Sequence, residues 1–293
     1  MAKILITGGT GLVGRHLSKL LTEKNHITTI LTRNPTKENE FKWDYKNNYV
    51  DTIAFEDIDY IIHLAGAGIA DKRWTAERKK VIIDSRVETA NLLFKKIKQL
   101  KKPLKGFLSA SGSNYYGAQT TDKIFTEKDS AGNDFLGQVC KQWENAVKQF
   151  ETLNIPVTIL RTGIVLDHEG GALEKMITPV ICPLGSGKQY MPWIHIEDLC
   201  QIYIHLLETN NNGVFNAIAP EILTNKVFSK TLAETTKRPF LPIHVPDFVL
   251  KLVFGELAII LLEGSKLSTK KIENDGGYSF RFKKLPKALK DLF

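Results

Sequence analysis

Eight residues near the N-terminus, TGGTGLVG at positions 7–14, carry the spacing that favours binding of a dinucleotide phosphate. The glycines fit two registers, GxGxxG from Gly9 and GxxGxxG from Gly8, and both end at Gly14. In either register one glycine makes a tight turn, one lets the backbone approach a pyrophosphate, and the last lets a helix pack on a strand. The anion then lies at the N-terminus of that helix. We predict that the whole loop contacts a dinucleotide cofactor: Thr7, Gly8, Gly9, Thr10, Gly11, Leu12, Val13 and Gly14.

The end of the next predicted strand indicates which dinucleotide binds. A protein that binds NAD usually places Asp or Glu about 20 residues after the loop, where the carboxylate holds the ribose 2′-hydroxyl. This strand instead ends Leu31-Thr32-Arg33-Asn34, without an acid. Arg33 can pair with a 2′-phosphate and stack on adenine, which favours NADP(H) over NAD(H). The alternative is that Arg33 is an ordinary surface arginine.

The elements around the loop alternate between strand and helix. A β-rich apolar run at 3–7 precedes the loop, helical spacing follows at 12–21, and a second β-branched run covers 26–31. Further strands are predicted at 60–64, 106–109, 157–160, near Ile194 and at 214–217, with helices at 75–97 and 136–153. This alternation predicts an α/β fold, a Rossmann-type doubly wound parallel sheet. It also favours a nucleotide-binding loop over a glycine turn without a ligand.

After about Asp167 the pattern loosens, and glycines and prolines punctuate a long connection. The last part of the chain contains helical stretches and a basic tail, so we predict a smaller, mostly helical C-terminal lobe. In such sheets the ligand crevice lies outside the carboxyl ends of the strands, and the lobe should cover it. We therefore divide the chain into an NAD(P)-binding Rossmann domain, 1–166 with 188–220, and a substrate-covering lobe, 167–187 with 221–293.

Composition narrows the class of protein. Three cysteines among 293 residues, with no metal-ligand spacing, predict neither a disulfide scaffold nor a metal site. No run reaches about 18 uncharged apolar residues and no apolar leader precedes the first strand, so we expect a cytoplasmic protein without a membrane anchor. The net charge of +8 is spread along the chain. It suits a phosphorylated small molecule better than nucleic acid. We expect a small-molecule substrate and no nucleic-acid partner, and we leave a homodimer open.

Over almost its full length the sequence resembles the extended or atypical branch of the short-chain dehydrogenase/reductase superfamily. Within that branch it is similar to proteins named NAD(P)-dependent nucleoside-diphosphate-sugar epimerases, which carry a C-terminal domain of unknown function. The matching segments are TGGTGLVG at 7–14, HLAGAGI at 63–69, SGSNYYG at 111–117, FLGQVCKQWE at 135–144, ILRTGIVL at 159–166, GGAL at 170–173 and PLGSGKQYMPWIHIEDL at 183–199.

The resemblance implies further cofactor contacts. Leu64, Ala65 and Gly66 occupy the position where the family's backbone passes the adenosine ribose and pyrophosphate. Arg161 and Gly163 occupy a turn that faces the nicotinamide in the family.

The resemblance also implies catalytic residues. Ser111 lies at the position of the family's catalytic serine, with Ser113 as the alternative if the loop alignment slips. Lys141 resembles the lysine of the family's Tyr-x-x-x-Lys pair. That lysine holds the nicotinamide ribose and lowers the pKa of the tyrosine.

One departure from the family pattern concerns proton transfer. Four residues before Lys141 the chain has Gly137 where the family has tyrosine. A carbonyl or hydroxyl substrate still needs a proton donor or acceptor near the hydride-transfer carbon. Tyr115 and Tyr116 lie on the loop that follows Ser111, and either could replace the missing tyrosine, as could a water. The alternative for both tyrosines is that they pack as an aromatic pair beneath the crevice.

Three residues are candidates for substrate contact. Lys188 and Gln189 lie in a glycine-rich segment and suit a phosphorylated or sugar group, although a solvated loop explains them equally well. His195 could face the cavity or be a structural residue of its strand, and Asp198 could cap the helix that follows.

Two functions therefore compete. The first is an NADP-dependent oxidoreductase or epimerase that acts on a small polar substrate, with a nucleotide sugar as one candidate. The second is a non-catalytic NADP(H)-binding regulator or redox sensor, which the glycine at position 137 supports.

Overall fold

A computed structural model describes all residues from 1 to 293, and one eight-stranded sheet forms its centre. The twelve strands of the chain are β1 (Lys3–Thr7), β2 (Ile27–Thr32), β3 (Glu40–Asp44), β4 (Tyr49–Val50), β5 (Tyr60–His63), β6 (Gly106–Gly112), β7 (Ile124–Phe125), β8 (Val157–Thr162), β9 (Ile164–Leu166), β10 (Trp193–His195), β11 (Gly213–Ala217) and β12 (Lys266–Leu267). The strand order of the central sheet is β11-β8-β6-β5-β1-β2-β3-β4. All neighbours in it are parallel except β3 and β4, which pair antiparallel.

Ten α-helices connect or cover these strands. They are α1 (Leu12–Glu23), α2 (Ala76–Leu100), α3 (Phe135–Lys148), α4 (Gly171–Met176), α5 (Ile196–Glu208), α6 (Asn225–Thr235), α7 (Asp247–Phe254), α8 (Ile259–Leu262), α9 (Lys270–Asn274) and α10 (Leu285–Leu292). Thr75 caps the longest helix, α2, because its side chain accepts a hydrogen bond from the backbone N–H of Arg78. None of the helices combines the length and the hydrophobicity needed to cross a bilayer.

Two apolar cores lie on opposite faces of the sheet. Along β1, Ile4 and Ile6 pack with α1 and α5, whereas Leu5 packs on the other face with α2 and α3. On β5, Ile62 and Ile61 divide in the same way. Successive side chains of a strand point to opposite faces, so strands covered on both faces need continuous apolar runs. The predicted α/β fold with a doubly wound parallel sheet is confirmed.

The structure differs from the sequence prediction at two places in the sheets. The pair β3 and β4 extends one edge of the sheet and was not predicted. The strand predicted near Ile194 exists as β10, but it pairs with β9 in a separate two-stranded sheet and does not join the central one. The chain leaves the central sheet at Gly163, between β8 and β9, so β9 and β10 pair outside it.

The C-terminal part of the chain packs over the carboxyl edge of the sheet. A third apolar core joins residues of this part, among them Phe228, Leu232 and Leu289, to Leu166 and Trp193. This core packs α4 and α6 against β9 and β10, which lie beyond the carboxyl end of β8. The proposed division into two domains stays a prediction.

Candidate cofactor and active site

The glycine loop has the geometry that a pyrophosphate needs. Gly8 has a φ of +71°, which favours glycine, and its carbonyl oxygen accepts a hydrogen bond of 3.0 Å from the backbone N–H of Gly11. A Cβ on Gly14 would collide with that carbonyl oxygen. The helix α1 begins at Leu12 with no side-chain cap and no acidic residue in its first turn. Its free N–H groups and positive dipole end therefore fit the negative charge of a pyrophosphate.

The sides of the loop are held by buried contacts. The Thr7 side chain is fully buried, and its Oγ1 lies 2.7 Å from Nδ1 of His63. Burial lowers the pKa of His63 to about 4, so the ring is neutral. The N–H of Ala65 donates to Oγ1 of Thr7 over 3.3 Å, which brings the start of the segment after β5 against the loop. The Thr7 side chain positions the loop, and the predicted contact of Thr7 with the cofactor stays a prediction.

The remaining predicted cofactor residues surround this loop. Leu64 and Ala65 are half-buried and Gly66 is exposed, directly beside the loop, because a Cβ on Gly8 would lie 2.9 Å from the Leu64 carbonyl. Arg33 is exposed just after β2 and makes no hydrogen bond or ion pair. Its guanidinium is therefore free for an anionic ligand, and its contact with a 2′-phosphate stays a prediction.

A cavity of about 920 Å³ lies between the carboxyl ends of β6 and β8 and the C-terminal helices. Its sheet end is lined by residues from these two strands, from the loop after β6 and from α3. Those residues include Ser111, Ser113, Asn114, Cys140 and Gly163. Three of the residues predicted to act at the nicotinamide or substrate line this cavity. They are Ser111, Gly163 and Ser113, the alternative to Ser111.

A buried ion pair lies behind the sheet end. Nε and Nη2 of Arg161 donate to Oε1 and Oε2 of Glu144 over 2.8 and 2.9 Å, and both side chains are 2% exposed. The Ser111 hydroxyl donates to the same Oε1 over 2.8 Å. Arg161 was predicted to face the nicotinamide. The structure corrects this, because its guanidinium is enclosed and does not line the cavity.

Both candidate tyrosines belong to this ion-pair network. The Tyr116 hydroxyl donates to Oδ1 of Asn216 over 2.7 Å and accepts from Nη1 of Arg161 over 3.0 Å. Burial raises the pKa of Tyr116 to about 12, and its side chain is fully enclosed. The Tyr115 ring stacks on the Arg161 guanidinium, 3.3 Å from the ring centroid. Neither tyrosine lines the cavity. Their rings pack together with centroids 5.4 Å apart, which fits the alternative of an aromatic pair, and a catalytic role for either stays a prediction.

The position of Lys141 is also corrected. Lys141 lies on the exposed face of α3 and does not line the cavity. Leu136 and Cys140 each lie one position before Gly137 and Lys141, and both line the cavity. They are four residues apart and therefore share one face of the helix. Burial raises the pKa of the Cys140 thiol to about 11, so this group is neutral. The chain therefore has neither the tyrosine nor the lysine of the family pair at the cavity.

The three predicted substrate residues do not line the cavity either. Lys188 is exposed on a loop, and Gln189 is 1% exposed with its amide donating to the carbonyls of Leu184 and Leu261. His195 caps α5, because its Nδ1 accepts from the backbone N–H of Glu197, and its ring stacks on a phenylalanine. These residues hold the structure together or face solvent.

Asp198 does not cap α5, which was its predicted role. It is 1% exposed, and its carboxylate accepts from the Tyr278 hydroxyl and from the backbone N–H groups of Arg281 and Phe282. It therefore anchors the segment before α10.

Two residues at the site were missed in the sequence. Glu144 fixes Ser111, and Arg86 lines the cavity over the ring of Trp143, 5.1 Å from its centroid. The signal for Glu144 was available: Cys140, Trp143 and Glu144 follow the three- and four-residue spacing of the buried face of α3. No comparable pattern marks Arg86.

The loop, the cavity and the strand order together define a nucleotide-binding protein of the short-chain dehydrogenase/reductase type, as the sequence resemblance implied. Residues 4–218 match the NAD dependent epimerase/dehydratase family, and residues 245–292 match a domain of unknown function, DUF1731. The chain belongs to the NAD dependent epimerase/dehydratase family.

Relatives match this chain from end to end. An epimerase family protein of Staphylococcus saprophyticus is 36% identical over 302 residues, covering 100% of this chain and 99% of the relative. The crystal structure of human epimerase family protein SDR39U1 with NADPH is 33% identical with a TM-score of 0.89, covering 99% of this chain and 98% of that one. A nucleoside-diphosphate sugar epimerase from Corynebacterium glutamicum is 27% identical with a TM-score of 0.80, covering 99% of this chain and 58% of that one.

Proposed function

We propose that this protein is an NADP(H)-dependent oxidoreductase or epimerase that acts on a carbon bearing oxygen at the sheet end of the cavity. The observation that carries the proposal is Ser111, which lines the cavity at the carboxyl end of β6 and is fixed by a buried carboxylate. Exposed Arg33 and the crystal structure of the human relative with NADPH support NADP(H) as the cofactor. A bound nicotinamide supplies or takes up the hydride.

Ser111 orients the reacting oxygen. Because its hydroxyl proton is donated to Glu144, the lone pairs of Oγ are the part that faces a ligand. Ser111 can therefore accept a hydrogen bond from a substrate hydroxyl. When that hydroxyl is oxidised, Oγ of Ser111 receives its proton while the serine's own proton moves to Oε1 of Glu144.

The ion pair with Arg161 keeps this carboxylate fixed in a buried setting. Both Glu144 oxygens accept from the guanidinium, so the carboxylate cannot rotate away from Ser111. Ser113 and Asn114 lie beside Ser111 on the cavity wall and make no side-chain hydrogen bond within the protein. They are available to bind the same substrate oxygen, or a water that exchanges the proton with solvent.

The non-catalytic regulator is the second candidate. It is favoured by the absence of both members of the Tyr-x-x-x-Lys pair from the cavity, since Leu136 and Cys140 occupy that helix face. In that case the chain binds NADP(H) and the cavity holds an effector that is not turned over. A small molecule remains the expected ligand for both candidates.

Turnover with NADPH distinguishes the two candidates. Carbonyl compounds are incubated with NADPH and the protein, and the loss of NADPH absorbance is measured. Nucleotide sugars are incubated with NADP⁺ and the protein, and the epimer is measured by chromatography, because epimerisation returns the hydride and consumes no cofactor. We expect Ser111→Ala to lower kcat by about 10²–10⁴ with little change in NADPH affinity, the range for loss of a proton-transferring group.

Tyr115→Phe is the matched control for this experiment, because it changes a hydroxyl of the same loop that does not line the cavity. It should keep full activity. Equal rates for wild type and Ser111→Ala would overturn the assignment. Tight NADPH binding without any turnover would favour the regulator.

A further inference from the structure

The cavity continues from the sheet end into the C-terminal part of the chain, where its walls become apolar. Of the 43 residues that line the cavity, 24 are hydrophobic. The lobe end, as we call this half, is formed by α4, α6 and the segment from α7 to α8. Its walls include Met176, Phe228, Leu232, Leu250, Leu257 and Leu261.

Charged side chains are few in the whole cavity. Two acids and two bases line it: Asp71, Glu263, Arg86 and Lys175. Arg86 already donates to the Ile82 carbonyl over 2.9 Å and packs over an aromatic ring, and Lys175 is exposed in the last turn of α4. A diphosphate is normally held by several Arg or Lys side chains or by a helix N-terminus. The lobe end offers no such cluster of cations. Its helix N-termini also disfavour an anion, because α4 and α7 carry Glu174 and Asp247 in their first turns and Thr224 caps α6.

The polar side chains of the lobe end are mostly used within the protein. Oδ1 of Asn225 accepts from the backbone N–H of Leu184 over 2.8 Å. The Ser265 hydroxyl donates to the Gln119 carbonyl over 3.0 Å. Because these atoms are already paired, they give little directional recognition of sugar hydroxyls.

The apolar wall also reaches the surface. Phe254, at the end of α7, lines the cavity and is still 36% exposed. On the same helix Leu250 faces the cavity, whereas Leu252 is 76% exposed. An apolar ligand can therefore enter along α7 without crossing a ring of charges.

We infer that the substrate is an apolar aldehyde or ketone, or the corresponding alcohol, with its body in the lobe end and its oxygen at Ser111. This inference rests on the proposed function and names its substrate class. It differs from the small polar substrate expected from the sequence, for which a nucleotide sugar was one candidate. In the reductive direction the carbonyl carbon gains a hydride from NADPH and the oxygen gains a proton, so the products are the alcohol and NADP⁺.

A series of straight-chain probes tests the inference. The affinity of the NADP⁺ complex for alcohols from butanol to dodecanol is measured by calorimetry, and kcat/KM is measured for the matching aldehydes with NADPH. Burying one more methylene should improve affinity about fourfold, until the lobe end is filled. UDP-glucose is the polar comparison and should bind more weakly than decanol.

A variant that fills the lobe end locates the site. Met176 is half-buried and lines the cavity beside Phe228 and Leu232, so Met176→Trp should remove the gain for long chains and leave butanol and NADPH affinity unchanged. Val227→Trp, on the exposed face of α6 and outside the cavity, is the matched control and should leave the whole series unchanged.

The outcomes separate this inference from the proposed function. Affinity that does not change with chain length in the wild type, or UDP-glucose binding tighter than decanol, would overturn the inference while NADPH binding stands. This wild-type comparison does not depend on whether the tryptophan variant folds. Failure of NADPH to bind at all would instead overturn the proposed function.

Discussion

The two ends of the cavity differ in the interactions that they offer to a ligand. At the sheet end, Ser111 is fixed by the ion pair of Glu144 and Arg161, and each group has a defined hydrogen-bond partner. At the lobe end the walls are apolar side chains, which hold a ligand by burial without a fixed direction. In the function that we propose, the sheet end orients the reacting oxygen and the lobe end recognises the rest of the substrate, so the two tasks are separate. Changes at the two ends should therefore have different consequences.

The largest expected effect follows from breaking the ion pair. Arg161→Met leaves the carboxylate of Glu144 buried without its partner, which costs about 3–5 kcal/mol in the free energy of unfolding. Urea unfolding of wild type and variant measures this loss.

The double variant Glu144→Leu/Arg161→Met is the control, because it removes both charges and should recover most of the loss. At the lobe end, Leu257→Met keeps the side-chain volume and should cost under about 1.5 kcal/mol. A loss below about 1 kcal/mol for Arg161→Met would show that the two ends are not held differently.

A smaller effect is expected at Tyr116. Tyr116→Phe removes the hydroxyl that donates to Asn216 and accepts from Arg161, leaving buried polar groups unpaired. Such a change costs about 1–3 kcal/mol, which thermal unfolding detects. NADPH turnover should stay within about twofold of wild type at a temperature where the variant is folded. A hundredfold loss of rate would instead make Tyr116 part of the proton-transfer machinery.

The most gradual effect, the smallest over any one pH unit, concerns pH and the contacts behind the sheet end. The ring of His63 lies 6.1 Å from that of Trp143, which lines the cavity, and burial lowers the pKa of His63 from 6.5 to about 4. Between these pH values the unfolded chain binds a proton on this ring and the folded chain does not. The free energy of unfolding therefore falls as pH falls through this window, by at most about 1.4 kcal/mol per pH unit from this group.

His63→Asn tests that contribution, because the amide can still pair with Thr7 but does not titrate. Urea unfolding at several pH values between 6.5 and 4 should show a shallower fall for the variant than for wild type. Identical slopes would mean that His63 takes up its proton in the folded state.

The features that depend on local pattern were predictable from the sequence. The glycine loop lies between β1 and α1 as predicted, because strand and helix periods are visible in a few consecutive residues. The resemblance placed the family's tyrosine and lysine positions at Gly137 and Lys141, but the helix positions that line the cavity are one residue earlier, at Leu136 and Cys140. One residue along a helix turns the side chain by about 100°, here from the cavity to solvent. Local pattern could not show that the side chains of Tyr116 and Arg161 are enclosed. Their partners, Asn216 and Glu144, are distant from them in sequence. The apolar lobe end is formed by several helices whose packing no local pattern shows.

The central claim is that the glycine loop and Arg33 form a site for NADP(H), and the most direct test is a titration of both dinucleotides. NADPH and NADH are titrated by calorimetry against wild type, Arg33→Ala and Arg238→Ala, where the last removes an equal charge from an exposed position after α6. We expect wild type to bind NADPH more tightly than NADH. Arg33→Ala should weaken NADPH roughly ten- to a hundredfold, the loss of one charge-assisted contact worth about 1.5–3 kcal/mol, and should leave NADH unchanged. Equal affinity of wild type for the two dinucleotides, or equal effects of the two substitutions, would contradict the claim.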